Sequence, residues 1–260
     1  MKMSKEKSVE LIQHVLSTMV LDAVQFFPQN KKKVNSEAHG LLFGLAKETS
    51  LECDYAFPVG SVVHRDEMMI QPDEKVDNAV KSAKELFSTS MCIGTYHSHP
   101  FEEPFSNWAD PSNGDCQAAD YLELPYFFII ALARNGKINK PLTIKYGECQ
   151  ATEFTYNPEV APNDISDEKL LDHNICYING EFQKYTFTIH AYKNTGKSLI
   201  DVDIVSSEAE LVMMLNEENI KFDEMTIDKT YRLRKMEYNL RQENKQRGQG
   251  NLEYHLEKLK

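Results

Sequence analysis

Hydrophobic and polar residues follow two different rhythms along the chain. In "SVELIQHVLSTMVLDAVQFF", Leu11, Val15, Leu16, Met19 and Ala23 recur at three- and four-residue steps, the stripe of an amphipathic helix. The proline and polar residues of "PQNKKKVNS" end it. "HGLLFGLAK" and "LECDYAFPVG" read as two strands with "KETS" as the turn between them. "PDEKVDNAVKSAKELFSTS" opens with proline and acids and places Val76, Val80, Ala83 and Phe87 on one face, which predicts a second helix. "MCIGTYHSH" follows as a strand, "SNGDCQAADYLEL" as a short helix, "PYFFIIALAR" as a continuously apolar strand and "LTIKYGE" as another strand. This alternation over about residues 1–155 predicts an α/β (α+β) domain, a mixed sheet flanked by helices.

A domain boundary is expected near "NPEVAPNDISDE", where Pro, Asn and Asp cluster. Residues 156–260 then form a smaller α+β region. "ICYINGEFQKYTFTIHAY" predicts a hairpin turning at Asn179-Gly180. "SSEAELVMMLNEEN" predicts a helix with Ser207 and Glu210 at capping-box spacing. From Ile227 onward the pattern is helical and locally basic, broken at "RGQG", and reads as a solvated amphipathic helix pair.

Composition narrows the function classes. The 260 residues are 41% hydrophobic, as in a globular protein with a core, and carry a formal net charge of -11. That charge argues against a general nucleic-acid binder, which normally shows a basic face. No apolar run approaches the roughly 20 residues that span a bilayer, so no membrane association is expected. The N-terminus "MKMSKEKSVELIQHVL" has no apolar core or small-residue cleavage site of a signal peptide. A cytoplasmic protein is therefore expected. The five cysteines are scattered, odd in number and form no CxxC, which disfavours a disulfide framework or a cysteine zinc site.

The chemistry concentrates in "YHSHPFEEPFSNWADPSNGD", Tyr96 to Asp115. On a strand, His97 and His99 point to the same face and Ser98 to the other. Pro100 cannot donate to a sheet ladder and is expected to end the strand. Two adjacent imidazoles are half of a zinc site, and two aspartates are candidates for a third ligand. Asp110 precedes Pro111, which favours an extended link. Ser112 and Asp115 have capping-box spacing, a sufficient structural reason for both. Yet Asp115, Ala118, Ala119 and Leu122 share one helix face. An inward carboxylate must be paired or bind metal, which favours Asp115 over Asp110.

"HSHP…PSNGD", followed by Pro125 and an apolar strand, resembles the JAMM motif of the MPN metalloprotease family. That motif runs His-x-His-Pro, a loop, then Ser-x-x-Asp opening a helix. The family also has a glutamate upstream in a Glu-x-x-Gly-x-Leu-x-Gly context, which "EAHGLLFG", Glu37 to Gly44, matches. The resemblance covers about residues 5–155 and implies an MPN-type fold. It implies one zinc ion per chain on His97, His99 and Asp115, a fourth position left for water, Glu37 as general base, and Ser112 steadying the oxyanion. Three protein ligands and one open position are the pattern of catalytic zinc. The family's usual spacing is shorter and would select Asp110, but position 107 is then Asn where the motif has Ser. His39, two residues from Glu37, is expected to pack or support rather than ligate.

The resemblance implies a zinc-dependent isopeptidase that cleaves after the C-terminal tail of ubiquitin or a ubiquitin-like protein, with such a conjugate as its partner. The residues alone point to metal-assisted amide hydrolysis. Two alternatives are a peptidase acting on a sulfur-carrier protein or short peptide, and a non-catalytic MPN scaffold. Scaffolds typically lose the histidines or the glutamate, and this chain retains them. The loop "FEEPFSNWAD" carries Phe101, Phe105 and the single tryptophan, Trp108. Aromatics on a loop beside a metal are candidates for gripping substrate; the alternative is that they fold back into the core.

Overall fold

The computed structural model describes residues 8–27, 37–47, 50–60, 62–65, 70–72, 78, 81–83, 85–86, 90–134 and 140–217. The helical tail expected from Ile227 lies outside them, as do Val76, Val80 and Phe87 of the expected second helix. The described residues between 78 and 86 are helical, and Ala83 among them is buried.

The protein is a mixed α+β fold dominated by a ten-stranded sheet. Its strands are β1 (Ser8–Leu11), β2 (His39–Ala46), β3 (Ser50–Pro58), β6 (Met91–Phe101), β7 (Tyr126–Arg134), β8 (Lys140–Thr155), β9 (Asp167–Gln183), β10 (Tyr185–Asn194), β11 (Ser198–Val202) and β12 (Ile204–Ser206). The spatial order is β11-β8-β9-β10-β7-β6-β2-β3-β1-β12, and β11 also pairs with β10, so that end of the sheet curls back on itself. Strands β4 (Val62–Arg65) and β5 (Ile70–Pro72) form a separate ribbon. The helices described in full are α1 (Val15–Phe26), α2 (Asn113–Leu122) and α3 (Ser207–Glu217). Among the described residues no helix is long and apolar enough to cross a membrane.

Strand β7 explains its own continuous apolar run. Phe128, Ile130 and Leu132 join the core cluster that also holds Val15, Leu16 and Met19 of α1. Phe127 and Ile129, on the opposite face, pack with Cys116 and Ala119 of α2. A strand buried on both faces has no polar side to show. Beside it, β6 runs parallel to β7 and antiparallel to β2.

Several local expectations fail for identifiable reasons. The helical stripe begins too early: Ser8–Leu11 is a strand, paired in parallel with both β3 and β12. Val9 and Leu11 are buried there at strand alternation, a pattern four residues long that overlaps the helical one. The hairpin turns at Gln183-Lys184, because Tyr185 pairs with Phe182, and Gln183 takes the positive φ of 50°. Gly180 lies inside β9, where a Cβ would fall 2.1 Å from the ring of Phe187; close approach, not a turn, accounts for that glycine. Helix α3 is capped by Ser206, whose Oγ accepts the Ala209 N–H at 3.3 Å, one residue before the expected cap.

Two further corrections bear on the site. Pro100 does not end β6, which runs on to Phe101 beside β7. Ser98 donates its N–H to Ala38 on the β2 side, so the nitrogen of Pro100 faces that same edge, past the end of β2, and no ladder bond is lost. The boundary expected near residue 156 does not divide two compact units. Residues 156–166 connect two strands of one sheet, and the compact unit continues to Met214.

Candidate metal centre

The centre forms where the C-terminal half of β6 meets the N-terminus of α2. His97 and His99 project from the same face of β6, and their Nε2 atoms lie 2.9 Å apart. Asp115 closes the triangle: its Oδ1 is 3.0 Å from His97 Nε2, and its Oδ2 is 3.3 Å from His99 Nε2. The three side chains are 12%, 13% and 17% exposed, shielded but reachable from solvent. Among the described residues this is the one group of His, Cys, Asp and Glu whose donor atoms converge closely enough to hold a metal ion.

The carboxylate is placed by the start of the helix. Ser112 is the N-cap of α2, and the capping box is complete. Ser112 N–H and Oγ–H both donate to Asp115 Oδ2 at 2.8 Å, and Asp115 N–H donates back to Ser112 Oγ at 3.2 Å. Burial alone would raise the Asp115 carboxyl, but the imidazoles of His97 and His99 beside it hold it well below the usual carboxylate range. Asp115 is therefore both the N3 partner in the capping box and the inward-facing candidate ligand, roles that the sequence offered as competing explanations.

The segment 156–165 braces this helix start. The amide of fully buried Asn113 donates to the carbonyls of Asn157 and Val160 at 2.9 and 2.8 Å, and its Oδ1 accepts the Asn157 N–H. The N–H groups of Asn113 and Gly114 donate to the carbonyls of Asp164 and Pro162. Asn113 was missed in the sequence because its partners lie more than forty positions away.

Glu37 comes from the chain just before β2. It lines a cleft of about 490 Å³ together with His39, His97, Ser112 and Asp115. Its neighbour Ala38 is clamped to the back of β6: Ala38 N–H donates to Ser98 Oγ at 2.8 Å, and Ser98 N–H donates to the Ala38 carbonyl at 3.0 Å. Ser98, 1% exposed, is thus the residue between the histidines that holds the glutamate's strand against them. Its role could be suspected from the alternation that turns it away from them. His39 is paired across the strands with His97, and its Nδ1 lies 3.3 Å from Thr95 Oγ1; it is outside the metal-holding group. Gly40 is required by close approach, since a Cβ there would fall 2.2 Å from the Tyr96 ring.

Asp110 stands apart from this cleft. It lines a different one, with Trp108, His190 and Asp201. The three loop aromatics also divide. Phe101 meets His99 edge-on at 6.1 Å between ring centres. Trp108 is 7% exposed and packs on Ala131, Ala133 and Phe101. Phe105 is exposed and meets Phe101 at 4.8 Å. Neither Phe105 nor Trp108 lines the cleft that holds His97 and Asp115.

No family model matches the chain, and no curated protein matches it. Among solved structures, the solution structure of protein DSY2949 from Desulfitobacterium hafniense is similar, with a TM-score of 0.38 and 13% identity over 76% of this chain and 92% of that one. At that level neither fold type nor function transfers.

Proposed function

We propose that the protein is a zinc-dependent hydrolase of amide bonds, an isopeptidase of the JAMM kind on an MPN-type fold. The observation that carries the reading is the convergence of His97, His99 and Asp115 on one point, in a cleft that Glu37 and Ser112 also line. The donor set fits zinc. Ligand bonds of about 2.0–2.1 Å in a tetrahedron separate the donor atoms by roughly 3.3–3.4 Å; the two Nε2 atoms are 2.9 Å apart, and the carboxylate brings Oδ1 to 3.0 Å from His97 Nε2 and Oδ2 to 3.3 Å from His99 Nε2. Two imidazoles and one carboxylate leave a position open, as catalytic zinc sites do.

When bound there, zinc would acidify a water molecule and polarise the scissile carbonyl. The chain's own residues do the rest. Glu37, in the same cleft and outside the ligand group, takes a proton and passes it to the leaving amine. Ser112 supplies a hydroxyl donor beside the carbonyl oxygen. Ser98 holds Ala38, the neighbour of Glu37, against β6. The substrate class, a conjugate of ubiquitin or a ubiquitin-like protein, follows from the motif resemblance, and a sulfur-carrier or short-peptide substrate is the alternative within the same chemistry. The five free thiols support a cytoplasmic setting.

The test pairs metal analysis with turnover. The purified protein should carry about one zinc per chain and cleave an isopeptide-linked conjugate, while Glu37→Gln keeps the zinc and loses cleavage. Full zinc with no cleavage of any conjugate, carrier or peptide would leave a scaffold. Absence of zinc from protein purified without chelator, and failure to take it up, would remove the basis of the reading.

A further inference from the structure

The three candidate ligands come from two elements. His97 and His99 stand on β6, and Asp115 stands in the first turn of α2. A zinc ion bonded at about 2.0–2.2 Å needs both elements held in place to within about 0.5 Å. Whatever fixes the start of α2 against the sheet therefore decides how well the site closes on an ion.

Packing alone does not fix it. Cys116 and Ala119 rest on Phe127 and Ile129 of β7, and apolar contact is non-directional. It holds the helix down without setting its place along its own axis. Hydrogen bonds set that place, and at the ligand end they come from the loop 157–164. Asn113 N–H donates to the Asp164 carbonyl at 2.8 Å, and Gly114 N–H donates to the Pro162 carbonyl at 2.7 Å. These are two of the donors that a helix start leaves unpaired. Ser112 adds an isolated bridge to Ile165. The loop is in turn anchored in the sheet at both ends, where β8 stops at Thr155 and β9 begins at Asp167.

The side chain of Asn113 completes the tie. It is 0% exposed. Its Nδ2 donates to the carbonyls of Asn157 and Val160 at 2.9 and 2.8 Å, and its Oδ1 accepts the Asn157 N–H at 2.8 Å. An amide carries two donors on one atom and its acceptor on the other, so these partners admit one orientation of the group. Neither the helix nor its cap calls for asparagine here. Asn is an indifferent helix former, and the capping box uses Ser112 and Asp115 alone.

We propose that Asn113 is a positioning residue for metal binding. By tying the loop 157–164 to the first turn of α2, it fixes Asp115 against the histidines of β6 and sets the affinity of the site for zinc. The inference rests on the zinc-hydrolase reading and adds to it a residue outside the ligand group.

The helix carries its own control. Asn194, at the end of β10, donates through Nδ2 to the carbonyls of Ala119 and Leu124 at 2.7 and 3.1 Å, and its Oδ1 accepts the Gly196 N–H at 2.8 Å. The same chemistry thus holds the other end of α2. Ala119 lies four residues past Asp115, about 6 Å along the axis. Asn194→Ala removes the same set of bonds as Asn113→Ala and leaves the ligand end tied.

Zinc affinity is measured by competition with a chromophoric chelator, at a temperature where circular dichroism shows each protein folded, and Tm of the apo proteins gives the loss of stability. Asn113→Ala removes the tie, and Asn113→Asp keeps its size and acceptor while losing both donors. Each should bind zinc about 10–100-fold more weakly than the wild type, the usual cost of removing a group that orients a metal ligand. Asn194→Ala should lose comparable stability and stay within about twofold of the wild type, as uncoupled sites do. Asn157→Ala cuts exposed bonds by which that side chain shapes the loop, to Glu159 N–H and Asp167. It should weaken zinc by about five- to tenfold, toward the low end of that range, and it decides the matter where the Asn113 variants do not fold. Wild-type affinity in the folded Asn113 variants, or in Asn157→Ala where those do not fold, would overturn the proposal. So would an equal loss of affinity in Asn194→Ala. Failure of the wild type itself to bind zinc would bring down the hydrolase reading and this inference with it.

Discussion

Replacing Asp110 by Asn should change how stability depends on pH, and the size of the change follows from the cleft. The ordinary carboxyl value of 3.8 rises to about 7 in the folded protein, chiefly through burial. The folded state therefore holds a proton that the unfolded chain has already released between about pH 4 and about pH 7. A raised acid contributes stability that is complete below the unfolded value and is lost as pH climbs through the folded one. At about 1.4 kcal/mol per pH unit, the loss is capped at about 4 kcal/mol. Asp110 is only partly buried, so water relieves part of the burial penalty and trims this to about 1–3 kcal/mol. Asn has the same shape and no charge, so the variant should match the wild type near pH 4 and exceed it by about 1–3 kcal/mol at pH 8. Urea unfolding from about pH 4 to pH 8 measures it. Other carboxylates and the metal centre titrate in both proteins and cancel in the difference. Parallel stability profiles across that range would refute the account of Asp110.

The remaining expectations concern the metal centre and its loop. His97→Ala, His99→Ala and Asp115→Ala should each lose bound zinc by elemental analysis, while Asp110→Asn keeps it; the reverse for the two aspartates would contradict the geometry. Glu37→Gln should retain zinc and thermal stability and lose at least about a hundredfold in hydrolysis, the low end for a general base. Ser112→Ala should slow turnover by roughly 10²–10³ if its hydroxyl supports the oxyanion, and should also cost about 0.5–2 kcal/mol as a lost cap. Trp108→Ala should destabilise by about 3–5 kcal/mol, as a buried aromatic does, and should affect protein and short-peptide substrates alike. A rise in KM for a protein conjugate alone, at unchanged stability, would instead assign Trp108 to substrate binding.

What could be read from the sequence was what short segments decide by themselves. The i, i+2 spacing put His97 and His99 on one face, and Ser112 with Asp115 set both the cap and the candidate ligand, because each relation spans at most three residues. β7 was readable because burial on both faces leaves a continuous apolar run. Relations that close over long separations were not readable. Ser8–Leu11 is a strand only because β3 and β12 flank it, and four residues cannot outweigh a helical stripe. Asn179-Gly180 carries the strongest short hairpin signal, yet Phe187 packs where the side chain of residue 180 would stand. The Pro- and Asn-rich stretch after residue 155 has a linker's composition. Its carbonyls nevertheless accept from Asn113 and Gly114, which makes it a support of the candidate metal centre.

Asp115 and Ser112 share a constraint that bears on the chemistry proposed for them. Oδ2 of Asp115 is held by two donors from Ser112, whereas Oδ1 faces His97. The carboxylate is thus oriented by the helix start whether or not an ion is bound, and ligation does not have to order it. Such preorganisation favours binding, since no rotamer freedom remains to be lost at that ligand. The same arrangement restrains Ser112. Its one hydroxyl proton already goes to Asp115 Oδ2, and its oxygen accepts the Asp115 N–H. To donate to a substrate oxygen it must first give up a hydrogen bond to a charged group, worth about 1.5–3 kcal/mol. Zinc bound at Asp115 would weaken that bond by drawing on the same carboxylate. On the proposed mechanism, the serine is therefore free to serve the oxyanion mainly in the metal-loaded protein, and the apo protein keeps it as a cap.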